Sequence, residues 1–141
     1  MEPDYQGCWS LRRLTKVKHL PQLKLVDFIT ELAAEDQARI AVSGSHGGIS
    51  SARYALTARP LLSVFNDAGG GLNNAGLAAI DFLQNHGLAA CTVAHHSALI
   101  GQASSTLATG LINHMNDCAK TLGIQAGWTC KQAVDCLVCP G

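Results

Sequence analysis

A serine, a carboxylate and an adjacent pair of imidazoles stand at three places where short apolar runs give way to small and polar residues: Ser45, Asp67 and His95-His96. Acyl-transfer chemistry is assembled from these groups: a hydroxyl nucleophile, a histidine that takes its proton and a carboxylate that holds the histidine in one tautomer. Around them lie Ser43, Gly44, His46, Gly47 and Gly48 in the first segment, Asn66, Gly69 and Gly70 in the second, and Ser97 in the third. Small residues let backbone approach a ligand and leave N–H groups free to hold an anion. These flanking residues therefore read as substrate-binding, with Ser45, Asp67, His95 and His96 as catalytic candidates.

The elements that must position them alternate in type. Residues 39–42, 61–65 and 88–94 read as short buried strands. Residues 49–58 read as a helix stopped by Arg59-Pro60, because the residue before proline is pushed out of the α region. Asn73 or Asn74 is placed to cap a second helix that ends at His86-Gly87. Leu107, Leu111, Ile112, Met115, Ala119 and Leu122 form one stripe, which predicts a long helix over 103–122, with Gly110 as a kink. Apolar spacing over 25–34 predicts another helix, and 124–139 a turn at Gly127 followed by a short last helix. The alternation predicts an α/β fold: a single small three-layer (αβα) Rossmann-like domain with a parallel sheet of three or four strands, its site at the C-terminal strand edge. Residues 1–24, with Arg12, Arg13, Lys16, Lys18 and Lys24 and the breakers Pro3 and Pro21, read as an arm or surface element, and 25–141 as the domain.

Ser43-Gly44-Ser45-His46-Gly47 resembles the nucleophile elbow of serine hydrolases, G-x-S-x-G, with serine in place of the first glycine. The order serine, acid, histidine also resembles that of the α/β-hydrolase family. The resemblance implies an oxyanion site at the N–H groups of His46 and Gly47. The same residues make an ordinary turn, with glycines at positive φ and Ser43 or Ser45 capping the helix, or an anion-binding loop with no nucleophile. The lysine of a P-loop and the spacing of a dinucleotide fingerprint are both absent. His46, Asp67 and one histidine of the pair would also suit a divalent metal such as Zn, though no H-E-x-x-H stands in the chain and no metal is assigned. Cys130, Cys136 and Cys139, with Cys8, make only a weak zinc pattern and read as thiols.

Composition narrows the partners. In 141 residues, 10 Lys and Arg balance 10 Asp and Glu, which argues against nucleic acid as the main partner. Between Ala68 and Asn116 the only formally charged side chain is Asp81, too little to keep a surface wet, so part of this half is expected to face another subunit of a homo-oligomer. Gly, Asn, Gln and His interrupt that stretch too often for a membrane span. Residues 1–10 are acidic and polar with no apolar run behind them, so a cytoplasmic protein is expected. The combined expectation is a small-molecule enzyme, a hydrolase of amidase or esterase type acting on a small polar or anionic substrate. The alternatives are a non-catalytic anion-binding or assembly subunit and a metal-assisted lyase or hydrolase.

Overall fold

The computed structural model describes residues 21–69 and 77–138. Residues 1–20 of the N-terminal arm, which include Cys8, and Gly70, the caps Asn73 and Asn74, and Cys139 lie outside them. Five strands form one sheet in the order β1-β2-β3-β4-β5: β1 (Leu23–Val26), β2 (Ile40–His46), β3 (Leu62–Asn66), β4 (Ala89–Val93) and β5 (Ile112–Met115). The first four are parallel and β5 joins the edge antiparallel. The central strands are buried on both faces, so they read as nearly continuous apolar runs. The α/β class and the layered architecture are as expected. The sheet is larger than three or four strands, because β1 and β5 come from segments whose spacing suggested helices.

One face of the sheet packs α1 (Ile49–Ala58) and α2 (Ala78–Asn85) through Ala52, Ala55, Ala79 and Leu83 against Phe65 and Ala90. Alanine at three-residue spacing keeps α1 close to the strands. Successive crossovers that step in one direction along a parallel sheet leave their helices on the same side, which accounts for this layer. After β4 the chain changes face. There α5 (Cys130–Val138) lays Cys130, Ala133, Val134 and Leu137 on Val42, Val64 and Cys91. Burial pushes the Cys130 thiol up to about 12 and raises that of Cys91 as well, so both serve as packing groups. Cys91, Cys118 and Cys130 are free thiols, as expected, whereas Cys136 is disulfide-bonded, contrary to that expectation.

Two predicted helices are absent. Residues 25–34 hold the end of β1 and 3-10 turns at Ile29–Glu31 and Ala34–Asp36, and β1 straddles the expected domain boundary at 24/25. The alternation of Leu23 and Leu25 with lysine and valine suits an edge strand, and pairing with 40–43 decides the matter. The helix over 103–122 is divided into α3 (Ala103–Thr109), β5 and α4 (Asp117–Thr121). Gly110 ends α3, its N–H bonding the Thr106 carbonyl. A Cβ there would stand 2.5 Å from that oxygen and 2.8 Å from Val93 Cγ1. The chain is thus forced straight against β4, where Ile112 pairs with Val93.

Gly44 marks another close approach, where the loop 99–102 crosses β2. Gly101 N–H bonds the Gly44 carbonyl at 2.7 Å, and a Cβ on Gly44 would lie 2.3 Å from the Gln102 nitrogen. Both obstacles are backbone and cannot rotate away. Gly44→Ala is expected to destabilise the fold by about 2–3 kcal/mol, the range of core overpacking, measured by urea unfolding. An unchanged midpoint would show that the loop can lift off at no cost.

Candidate functional site

At the C-terminal edge of the sheet two clusters form, each beside a β-bulge. The first is on β2, which spends four residues from Val42 to His46 where β3 spends two from Val64 to Asn66. Bulges re-aim side chains and end regular pairing. Ser43 turns inward and its hydroxyl donates to the Val64 carbonyl at 2.7 Å. Ser45 turns toward β1, where its oxygen accepts the Ile29 N–H at 2.9 Å. The expected turn is therefore strand as far as His46, and α1 is preceded by Gly48 with no side chain capping it. Neither Ser43 nor Ser45 caps the helix, and Gly44, Gly47 and Gly48 are not at positive φ. The Gly47 N–H is spent on the Asn66 carbonyl and its own carbonyl accepts from Ala79, which removes one of the two donors expected for an oxyanion site. His46 is exposed at the strand end, opposite Asn66.

The second cluster joins β3, β4 and β5. The Asp67 carboxylate is 8% exposed as a residue and accepts the N–H groups of Gly69 (2.8 Å) and His95 (2.9 Å) on Oδ1 and the Asn113 amide on Oδ2 (2.7 Å). The His95 ring stands beside it, Nδ1 at 3.3 Å from Oδ1. Burial by itself would raise the Asp67 pKa. The hydrogen bonds from Gly69, Asn113 and His95, with the charge of the His95 ring, outweigh that and hold it below the usual carboxylate value. Asp67 is thus an ionised carboxylate, fixed in place, with an imidazole against it.

The chain around Asp67 is bent to make this fit. Ala68 and Gly69 take φ of 53° and 73°, so two residues in succession are left-handed. For alanine that costs about 1–2 kcal/mol. Both N–H groups are met, that of Ala68 by Asn66 Oδ1 and that of Gly69 by Asp67. Asn66 is fully buried and its amide bonds the Ala98 carbonyl, so this predicted substrate ligand is committed to its own loop. The His95 ring lies over Gly69, where a Cβ would make ordinary contact with it at 3.7 Å, so the positive φ rather than space favours glycine there. Ser97 donates to Ala94 and accepts from Leu111, which likewise ties it to the chain. His96 is exposed and meets His95 edge to face, with centroids 5.5 Å apart.

Asn113 and Thr92 complete the cluster without having been predicted. β5 spends two residues from Ile112 to His114 where β4 spends one, and Asn113 is the extra residue. Its Oδ1 accepts the Thr92 hydroxyl at 2.8 Å while its amide faces Asp67, giving a chain of Thr92, Asn113, Asp67 and His95. Once 103–122 is taken as one helix, nothing singles out Asn113. The available signal was Gly110 followed by the polar residues Asn113, His114 and Asn116 inside the stripe.

The structure brings Asp67 and His95 together and sets Ser45 apart. β3 lies between β2 and β4, which places their backbones about 10 Å apart at normal strand spacing, and the Ser45 oxygen bonds on the β1 side. There a cavity of about 580 Å³ opens, lined by Ser45, His46, Ser50, Ser51 and the apolar Phe28 and Tyr54. Among the described residues, no group of three or more His, Cys, Asp and Glu side chains stands at metal-holding distances, and no helix is long and apolar enough to cross a membrane. Comparison with protein-family models, with curated proteins and with solved structures gives no match.

Proposed function

We propose that the protein is a small-molecule hydrolase of amide or ester-like bonds, with His95 as general base and acid and Asp67 as the carboxylate that orients it. The single observation that carries this reading is the Asp67–His95 pair, 3.3 Å apart at the C-terminal edge of a parallel sheet. With Nδ1 against the carboxylate, Nε2 is the nitrogen left for chemistry. The side chain is 56% exposed, so a substrate can reach it. Nε2 takes a proton from water as the oxygen attacks the carbonyl carbon, then returns it to the departing amine or alcohol. Asp67 stays ionised throughout and stabilises the imidazolium.

Water replaces Ser45 as the nucleophile in this scheme. A serine nucleophile needs a base to receive its proton, and Ser45 has the Ile29 N–H as its hydrogen-bond partner. Its own proton remains free to donate, which suits an anchor for a polar substrate. The exposed apolar side chains Leu99 and Leu111, in the nearly uncharged stretch, support a second subunit as cover for that surface.

The test is a panel of short-chain esters and amides presented to the parent protein, His95→Gln and Ser45→Ala. His95→Gln is expected to lower kcat at least about a hundredfold, while Ser45→Ala raises KM more than it lowers kcat. Parental turnover by His95→Gln, or no turnover by the parent across the panel, overturns the proposal.

A further inference from the structure

The cavity beside α1 has a polar floor and an apolar wall. α1 is ten residues long, and the N–H groups of its first three, Ile49, Ser50 and Ser51, have no acceptor among the described residues. The first bond of the helix runs from Ala52 to Gly48, and no side chain caps it. Such an end carries a partial positive charge. A second observation points the same way. Ser51 is 6% exposed and lines the cavity, yet its hydroxyl makes no hydrogen bond among the described residues. No buried side-chain oxygen among the described residues lacks a partner, so the Ser51 oxygen is open to the cavity it lines; in a helix a serine hydroxyl often turns back to the carbonyl four residues earlier. Here that carbonyl, of Gly47, receives Ala79 instead. Ser45 adds a third donor, because its oxygen is occupied by Ile29 and its proton is not.

We propose that this cavity binds a small carboxylate carrying a compact apolar body. The carboxylate sits at the start of α1 on the Ser50 and Ser51 N–H groups and the Ser51 and Ser45 hydroxyls. The body lies against Phe28, Tyr54 and Ile100, large apolar side chains left 56%, 47% and 56% exposed around one opening. Among the described residues, no Lys or Arg lines the cavity to balance a dianion, and no Asp or Glu lines it to repel a monoanion. Those two facts favour carboxylate over phosphate, which proteins usually meet with Arg or Lys. A volume of about 580 Å³ suits a molecule of this size. Any part this site plays in catalysis rests on the hydrolase reading; the binding does not.

The experiment is an NMR amide titration of the intact protein with benzoate, benzyl alcohol and inorganic phosphate, repeated on Ser51→Ala and Tyr54→Ala. Benzoate is expected to shift the amides of Ile49, Ser50 and Ser51, with benzyl alcohol and phosphate each at least about tenfold weaker. Ser51→Ala should weaken benzoate about tenfold, the scale of one hydrogen bond to a charged group, and its dispersed spectrum reports whether it is folded. Tyr54→Ala removes apolar contact at the rim and should weaken benzoate while leaving phosphate unchanged. Absence of shifts at 49–51, equal affinity for benzyl alcohol, preference for phosphate, or unaltered benzoate affinity in a folded Ser51→Ala overturns the site. Binding without turnover sinks the hydrolase and leaves this site standing; turnover without benzoate binding does the reverse.

Discussion

Replacing Asn116 by alanine is expected to destabilise the protein by about 4 kcal/mol, roughly 1 kcal/mol for each side-chain hydrogen bond lost. Asn116 is 5% exposed and all four of its side-chain positions are used. Oδ1 accepts the N–H groups of Ala90 and Ala119, and Nδ2 donates to the carbonyls of Ile80 and Leu88. One side chain therefore ties the first turn of α2, the entry to β4 and the first turn of α4. Alanine would take an acceptor from the Ala90 and Ala119 N–H groups and a donor from the Ile80 and Leu88 carbonyls. Since a domain of this size is held by about 5–15 kcal/mol, the loss is a large part of the whole. Asn116→Asp separates two explanations of that loss. Aspartate is as good a helix cap as asparagine, so a capping role alone predicts a stable variant. The four-way role predicts a variant about as damaged as alanine, because a carboxylate oxygen would face the Ile80 and Leu88 carbonyls. Urea unfolding of the three proteins reads the difference. A stable Asn116→Asp would reduce Asn116 to a cap.

Asn116 also shows where the sequence stops being legible. The central strands announce themselves, because burial on both faces leaves nearly continuous apolar runs at 40–44, 62–65 and 89–93, interrupted by Ser43, Ser63 and Thr92. Helix α1 is legible for a local reason too, since Arg59-Pro60 must end it. The stripe through 103–122 misleads because apolar residues at helical spacing also satisfy a helix, a strand and a second helix in series. Leu111 lies 41% exposed although the stripe would bury it. Asn116-Asp117 carries the signal of a new helix start, a capping side chain before an acidic first turn. At the site, Asp67 and His95 could be named because strand ends converge by topology. Their partner Asn113 could not, because a bulge on an unpredicted strand aims it. Which way Ser45 faces depends on a second bulge, and a bulge is a property of strand pairing that no single segment encodes.

Asp67 should govern how stability responds to acid. Its pKa is lower in the folded chain than in the unfolded one, since the hydrogen bonds from Gly69, Asn113 and His95 and the charge of His95 outweigh the cost of burial. The unfolded chain therefore holds the proton more tightly. The stability contributed by the carboxylate is complete above the unfolded value, about 3.9 for an aspartate, and drains away as pH falls through the folded value. Asp67→Asn removes the titration and keeps the shape. One amide oxygen can still accept Gly69 and His95, but the amide nitrogen would meet the Asn113 amide, donor against donor. Asn113 can turn over, because the Thr92 hydroxyl accepts as well as donates. Asp67→Asn is therefore expected to cost about 1–2 kcal/mol near neutral pH, the charge-assisted part of the bonds, and Asp67→Ala about 3 kcal/mol, with three donors left unmet. The gap in unfolding free energy between parent and Asp67→Asn should stay constant from pH 7 to about 5, narrow below about 4, and close once both states of the parent are protonated. Other carboxylates titrate in the same range, but they are common to both proteins and cancel in the difference. A gap that persists at the acid end would locate the effect in shape alone. A gap that widens on acidification would reverse the sign and require an Asp67 that holds its proton more tightly when folded, incompatible with an ionised carboxylate orienting His95.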